Sequence, residues 1–325
     1  MKSILDSMTG RRVLVVGDVM VDEYVWGNVR RISPEAPVMV VEVERDSWTA
    51  GGAANVVNNI QALGARASII GVIGDDTAGL ALKTKLGDAG VDVRGVVVDA
   101  SRPTTRKTRI IAHSQQVVRV DRESRKRLTA AAAQRVVEQI EEQVKSADIV
   151  VFSDYNKGMA IPAITESLIN IATENGKRVV VNPKPRNVKQ FRAAFAISLN
   201  QSEAEAATGV LINSEKDVRR AAKHLVSARY GGPEVLVVTR GAEGMSLFTK
   251  EGQEVVVPAH PVEVYDVAGA GDTVVSVLAL SLAAGAEIDE AAILANCAGG
   301  AAVRKVGVAT VTREEIAGMM RDSIA

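Results

Sequence analysis

Cysteine is almost absent from this chain of 325 residues: Cys297 is the only one, so no internal disulfide framework exists. Aromatic residues make up only 3 %, too few for the stacking platforms on which proteins read unpaired bases. Charge of one sign is missing as well. Lys plus Arg and Asp plus Glu both number 39, so there is no basic footprint, and nucleic acid is excluded as a partner. No uninterrupted apolar run approaches the roughly 18 residues of a membrane span, which excludes a membrane partner. The opening "MKSILDSMTGRR" lacks the apolar core of a secretion signal. These absences leave a cytoplasmic protein in a reducing compartment as the expectation. Two nucleotide signatures are missing too. Neither G-x-x-x-x-G-K-[ST] nor G-x-G-x-x-G occurs: Val274, not Gly, stands three residues after Gly271.

What is present is alternation. Short β-branched runs at 11–18, 67–75, 147–154, 177–183, 194–200 and 234–241 end in Gly, Asp, Asn or Pro, as buried parallel strands do. Helical patterns lie between them, among them 129–147, opened by Thr129, and 163–176, closed by Gly176. Strands alternating with helices predict an α/β fold, a mostly parallel sheet with helices on both faces. Two segments break the rhythm, about 22–45 and 103–121. Their alternating apolar and polar residues read as antiparallel strands, either a small β lid over the strand ends or ordinary edge hairpins. The expectation is a single domain over 1–325 carrying that lid.

Four stretches carry polar chemistry. Asp18, Asp22, Asp154, Asn182 and Asn200 stand at or near strand ends, where open α/β sheets gather ligands. Each either hydrogen-bonds a polyhydroxylated ligand or caps a turn. In "AGGAAN", Gly51 and Gly52 open a helix that holds Asn55. They either let backbone approach a ligand or let the helix pack closely on the sheet. In "NQSE", Asn200 and Glu203 stand one helical turn apart, suited either to the water shell of a Mg²⁺ ion or to helix capping. In "AGAGDT", Gly269, Ala270 and Gly271 offer amides to an anion and Asp272 follows at once, as an N-cap or as a base beside an anion hole.

"GGAAN" early and "DVAGAGDT" late together resemble the ribokinase (PfkB) family of carbohydrate kinases, from about Arg11 to Arg321. Further stretches ("VVGDVMVDEYVWG", "RISPEAPVMVV", "QQVVRVDRE", "SDYNKG") are similar to its heptose-7-phosphate kinase branch. The resemblance implies a ribokinase-like fold and ATP-dependent phosphorylation of C1 of D-glycero-β-D-manno-heptose 7-phosphate. A kinase of another sugar phosphate or of a nucleoside, or a non-catalytic nucleotide or sugar sensor, are the alternatives. The resemblance also implies roles. Asp272 is the base, and Gly269, Ala270 and Gly271 form the anion hole. Asn200, Glu203, Lys184, Thr239, Gly241, Gly244 and Asn296 bind ATP and its Mg²⁺, with Glu203 reaching the metal through water. Asp18, Asp22, Gly51, Gly52 and Asn55 bind sugar, and Arg119, Asp154 and Lys157 meet the distal phosphate. A K⁺ ion near Asp266 and a homodimer paired through the lid are further family features. The chain departs from the branch at Asn182, usually Asp, and at Ala268, usually Thr. His113, His224 and His260 are too far apart for the His-x-Gly-His motif of a nucleotidyltransferase partner domain.

Overall fold

A computed structural model describes residues 1–113, 115–124, 126–227 and 232–322. The expected single domain over 1–325 therefore runs past the described residues at its C-terminal end, and Ser114 of the second lid segment lies outside them. Helix α1 (Lys2–Ser7) precedes β1 (Arg12–Gly17), and a long hairpin, β2 (Val19–Ile32) and β3 (Met39–Gly52), feeds α2 (Ala53–Ala62). Then come β4 (Arg66–Ile73), α3 (Thr77–Asp88), β5 (Val96–Val98), and a second hairpin, β6 (Arg106–Ala112) and β7 (Gln115–Arg122). The chain continues through α4 (Ala130–Gln143), β8 (Ile149–Ser153), α5 (Pro162–Glu174), β9 (Val179–Asn182) and β10 (Ala196–Asn200). It closes with α6 (Gln201–Thr208), α7 (Glu215–Val226), β11 (Val235–Thr239), β12 (Met245–Thr249), β13 (Glu254–Val257), α8 (Ala270–Ala283), α9 (Ile288–Ala302) and α10 (Arg313–Asp322).

Nine strands form the main sheet in the order β13-β12-β11-β10-β9-β8-β1-β4-β5. Strands β5 to β11 run parallel, and β12 and β13 add an antiparallel edge. The strands have no polar face because both faces are covered. Val13 and Val15 point into one core with α2, α8 and α9; Leu14 and Val16 point into the other with α4, α5 and α7. Helix α4 starts where Thr129 accepts the Ala132 amide at 3.2 Å. It ends at Gln143, short of the expected 147, because the chain tightens into a 3₁₀ turn at Val144–Ser146. Cys297 packs fully buried in α9, where burial pushes its thiol up to about 11.

Strand β1 lies between β4 and β8, so the strand order reverses there. The reversal leaves a crevice at the carboxyl ends of β1 and β8, the usual ligand site of such sheets. Beside it stands a separate four-stranded sheet, β3-β2-β6-β7. Its first hairpin begins before and ends after the expected 22–45, because β2 leaves β1 after one residue and β3 runs directly into α2, whereas its second begins at Arg106 and ends at Arg122 against the expected 103–121. Among the described residues, no helix is long and apolar enough to cross a membrane.

Candidate active site

The crevice opens into a cleft of about 110 Å³. Three parallel strand ends supply its wall: Asn182 ends β9 with Lys184 just after it, Ser198 and Asn200 lie at the end of β10, and Thr239 ends β11. The start of α8 supplies Gly269, Gly271 and Asp272, and the loop after β8 supplies Tyr155. Helix α8 begins on Gly269 in the left-handed conformation (φ +80°), with no side chain capping its first amides. A side chain at Gly269 would also press on Asn55 Nδ2, 3.2 Å from the Cβ position. The result is a helix N-terminus whose positive end faces open space. One amide is already used, because Ala270 donates to the Val267 carbonyl at 3.3 Å.

Asp272 sits in the first turn of α8, 5 % exposed. Asn55 Nδ2 donates to its Oδ2 at 2.7 Å and the Tyr155 hydroxyl donates to its Oδ1 at 2.7 Å. Burial pushes this carboxyl up to about 6; the donors Asn55 and Tyr155, and then Lys184, pull the other way. Helices α2 and α8 are locked in place by further buried polar contacts. Asn59 donates to the Asn55 carbonyl at 2.9 Å and accepts from the Thr273 hydroxyl at 3.0 Å. A bare N-cap aspartate would have turned its oxygens back to its own helix; these turn to α2 and to the β8–α5 loop.

The double glycine before α2 has a steric reason. A Cβ at Gly51 would fall 2.0 Å from Asp22 Oδ2, and one at Gly52 (φ +62°) 2.3 Å from the Asp18 carbonyl. Close packing thus explains both, and at Gly51 the room is taken by the Asp22 carboxylate. Asp22 itself pairs with Arg109 at 2.6 Å.

Two expected substrate contacts, Asp18 and Asp154, also hold loops. Asp18 is buried, and its carboxylate accepts the amides of Tyr155 at 2.8 Å and of Lys157 and Met159 at 3.0 Å each. Burial, with Asp154 nearby adding to it, pushes Asp18 up to about 6 against those three amides. Asp154 is fully buried and accepts from the Asn156 amide, the Lys184 amide and Asn187 Nδ2. Both carboxylates fasten loops; Asp18 holds the one bearing Tyr155 and Asp154 the one bearing Lys184.

On the other wall, Asn200 and Glu203 form a reciprocal cap on α6, and Lys184 Nζ reaches Glu203 at 2.7 Å. Among the described residues, no group of three or more His, Cys, Asp or Glu is placed to hold a metal ion. A lone carboxylate beside a lysine suits a Mg²⁺ that keeps its waters and rides on phosphate oxygens. Thr239 faces the cleft, whereas Gly241 and Gly244 lie in the turn beyond it. Asn296, on α9, donates to the Pro258 carbonyl at 2.8 Å. Asp266 ties two loops by accepting the Ala268 and Gly307 amides at 2.9 and 3.0 Å.

The two cations expected at a distal phosphate are each paired with a carboxylate. Lys157 pairs with Glu123 at 2.5 Å, and Arg119 lies on exposed β7 paired with Asp121 at 2.8 Å. Sequence reasoning missed three further residues: Tyr155, which lines the cleft, Lys107, which stands over its ring, and Arg109, which pairs with Asp22. The Lys107 ammonium stands 5.6 Å from the centre of the Tyr155 ring. It is half-buried, which lowers its pKa, and among the described residues no carboxylate lies within ion-pair distance of it. The alternation in "RKTRII" could have flagged Lys107 and Arg109 as one face of a strand.

Comparison with known proteins gives a consistent picture. The family model described as "pfkB family carbohydrate kinase" matches residues 11–315. A protein of Desulfatibacillum aliphaticivorans named "Bifunctional protein HldE" is 46 % identical over 311 residues, covering 96 % of this chain and 63 % of that protein. A protein of the same name from Geobacter metallireducens is 45 % identical over 307 residues, 94 % of this chain and 62 % of the relative. This chain thus spans under two thirds of the length of those relatives. Among solved structures, Escherichia coli phosphofructokinase-2 in complex with potassium superposes with a TM-score of 0.80 at 22 % identity, over 97 % of this chain and all of that one. Arabidopsis thaliana ribokinase complexed with ribose and ATP gives 0.76 at 18 %, over 96 % and 99 %. At these identities the two share the ribokinase-like fold.

Proposed function

The chain belongs to the pfkB family of carbohydrate kinases, and from that premise we propose that it transfers a phosphoryl group from ATP to C1 of D-glycero-β-D-manno-heptose 7-phosphate, a step toward ADP-heptose. The relatives named bifunctional protein HldE support the sugar, and the observation that carries the chemistry is Asp272: a buried carboxylate in the first turn of an uncapped helix.

In this reading Asp272 is the general base. The acceptor hydroxyl gives its proton to the carboxylate as its oxygen bonds to the γ-phosphorus and the bond to the β-phosphate oxygen breaks. Gly269, Ala270 and Gly271 present the positive end of α8 to the oxygens of the moving phosphoryl group. Lys184 balances charge on the nucleotide phosphates. Mg²⁺, when bound with Asn200 and Glu203 holding its water shell, supplies further neutralisation. Thr239, Gly241, Gly244 and Asn296 line the nucleotide's path, and Asp22, Gly51, Gly52 and Asn55 flank the sugar. The four-stranded sheet acts as a lid that keeps water from the phosphoryl group. Lys157 and Arg119 would reach a distal phosphate only by exchanging their carboxylate partners for it.

Two family features complete the proposal. The exposed apolar residues Ile32, Met39, Val43, Val118 and Val120 on the four-stranded sheet support pairing of two cytoplasmic copies through their lids. The link of Asp266 to the Gly307 loop supports a K⁺ site beside the anion hole.

The test is ATP consumption over a set of sugar phosphates, with the product examined by ³¹P NMR. Preference for mannoheptose 7-phosphate, with a new anomeric phosphate, is the expected result. Preference for fructose 6-phosphate, ribose 5-phosphate or a nucleoside would replace the substrate, and no turnover of any of them would remove the kinase reading.

A further inference from the structure

Tyr155 stands in "SDYNKG", where no role was expected of it, and it links the candidate base to two lysines. Its hydroxyl holds Asp272 Oδ1 at 2.7 Å. Its ring lies between Lys107 of the four-stranded sheet, at 5.6 Å, and Lys184 of the cleft wall, at 5.2 Å. The backbone that carries it is fixed from several sides. Asp18 takes the amides of residues 155, 157 and 159, Asn156 adopts φ +57° and Gly158 φ +120°. A non-glycine residue held left-handed in a clamped loop marks a conformation that the surroundings impose.

We propose that Tyr155 is a positioning residue for the base: with Asn55 on the opposite oxygen, it fixes the plane of the Asp272 carboxylate and keeps it ionised, leaving the second lone pair of an oxygen for the acceptor hydroxyl. The inference rests on the reading of Asp272 as the base. Its physical logic is an opposition of two effects. Burial works against the charge on Asp272, and Asp22, from β2, works in the same direction. Against them stand the two neutral donors, Asn55 from α2 and Tyr155 from the β8–α5 loop, and one cation, Lys184. Tyr155 can only donate. Burial and the carboxylates Asp272, Asp22 and Glu203 raise its phenol well above the usual range, so it stays protonated wherever the enzyme works. Lys107, 5.6 Å from the ring centre, adds no hydrogen bond of its own to Asp272. Removing the phenol oxygen therefore leaves Asp272 with its desolvation and half of its donors.

The experiment is Tyr155→Phe in the full chain. The Asp272 carboxyl is followed by ¹³C NMR in the free protein, with its resonance assigned by loss in Asp272→Asn, and kcat/KM is followed against pH with ATP and mannoheptose 7-phosphate. The expected result is an upward move of the Asp272 titration, and of the acid limb of kcat/KM, by about one pH unit, the scale of losing a hydrogen bond to a buried charge. A titration that stays in place, however far the plateau falls, overturns the proposal and leaves Tyr155 a packing residue. If Tyr155→Phe does not fold, 3-fluorotyrosine at position 155 carries the same test. Its more acidic phenol is the stronger donor, so the titration must move down, and no movement overturns the proposal. The two readings fail separately. Full turnover in Asp272→Asn removes the base, whereas a dead Asp272→Asn with an unmoved Tyr155→Phe titration removes only the positioning role.

Discussion

Asn55 donates to Asp272 at 2.7 Å across 217 residues of chain. One partner opens the helix after the first hairpin and the other opens the helix after the last strand. This contact on Oδ2 and the Tyr155 hydroxyl on Oδ1 together set the direction of the carboxylate. The acid–base chemistry assigned to Asp272 therefore depends on a donor from the early "GGAAN" stretch, far from the glycines beside it.

Asp272→Asn is expected to keep the fold and nucleotide binding while lowering turnover by roughly two to four orders of magnitude, the scale of losing a general base. Steady-state kinetics and ATP titration calorimetry on the same preparation check it. Turnover within a few-fold of the unaltered protein would contradict the assignment.

Activity should follow the ionisation of Asp272. Its carboxyl titrates at about 6, so kcat/KM is expected to rise close to tenfold per pH unit below that point and to level off above it. A profile already flat from pH 4.5 upward would mean that Asp272 is not the group being titrated.

Stability should run the other way. Burial raises the folded-state values of Asp272 and Asp18 to about 6, above the usual carboxylate value of 3.8. Between those limits the folded protein holds protons that the unfolded chain releases, so the contribution is full below about pH 4 and is lost as pH rises through 6. Each group costs about 3 kcal/mol above that range. Asp272→Asn should therefore melt higher than the unaltered protein at pH 7.5, with the gap narrowing toward pH 5. Thermal melts of both proteins across that range decide it.

Lys107→Ala is expected to raise KM for a phosphorylated sugar about tenfold or more, and Arg119→Ala by far less. Among the described residues Lys107 has no carboxylate within ion-pair distance, and it is half-buried over the Tyr155 ring, whereas Arg119 is exposed and satisfied by Asp121. Equal effects would return the phosphate contact to the outer strand.

Asp154→Ala should act on stability first. It strands the Asn156 amide, the Lys184 amide and Asn187 Nδ2, three donors that meet on one buried carboxylate, at a cost of about 2–5 kcal/mol. Denaturant unfolding measures that loss. KM for ATP should rise as well, since Lys184 loses its anchor.

Much of the fold was legible because its signals are local. Continuous apolar runs such as "VLVV" and "DIVVFS" became β1 and β8, buried on both faces as parallel strands are. The antiparallel edge β12 and β13 was missed, since "MSLFT" and "EVVV" are short and their role depends on which neighbour they find. In the site, the glycines and Asp272 form one contiguous motif and could be read directly. Asp18 and Asp154 were visible as polar strand ends, but whether such a group faces a ligand or a loop depends on how the following chain folds back. Tyr155 meets Asp272 across 117 residues, and nothing near it in the sequence announces the contact.

The junction between the two sheets has a mechanical consequence. Strand β2 has 14 residues and starts one residue after β1 ends, while β3 ends where α2 begins, so no slack loop separates the ribbon from the core. At about 3.3 Å per residue the ribbon reaches about 45 Å from its root. It behaves as a lever: a tilt of about 10° at Asp18 and Gly52 carries the far tip about 8 Å. The fulcrum lies beside the carboxylate that clamps the Tyr155 loop, so large travel at the rim is matched by only small displacement at the base of the cleft.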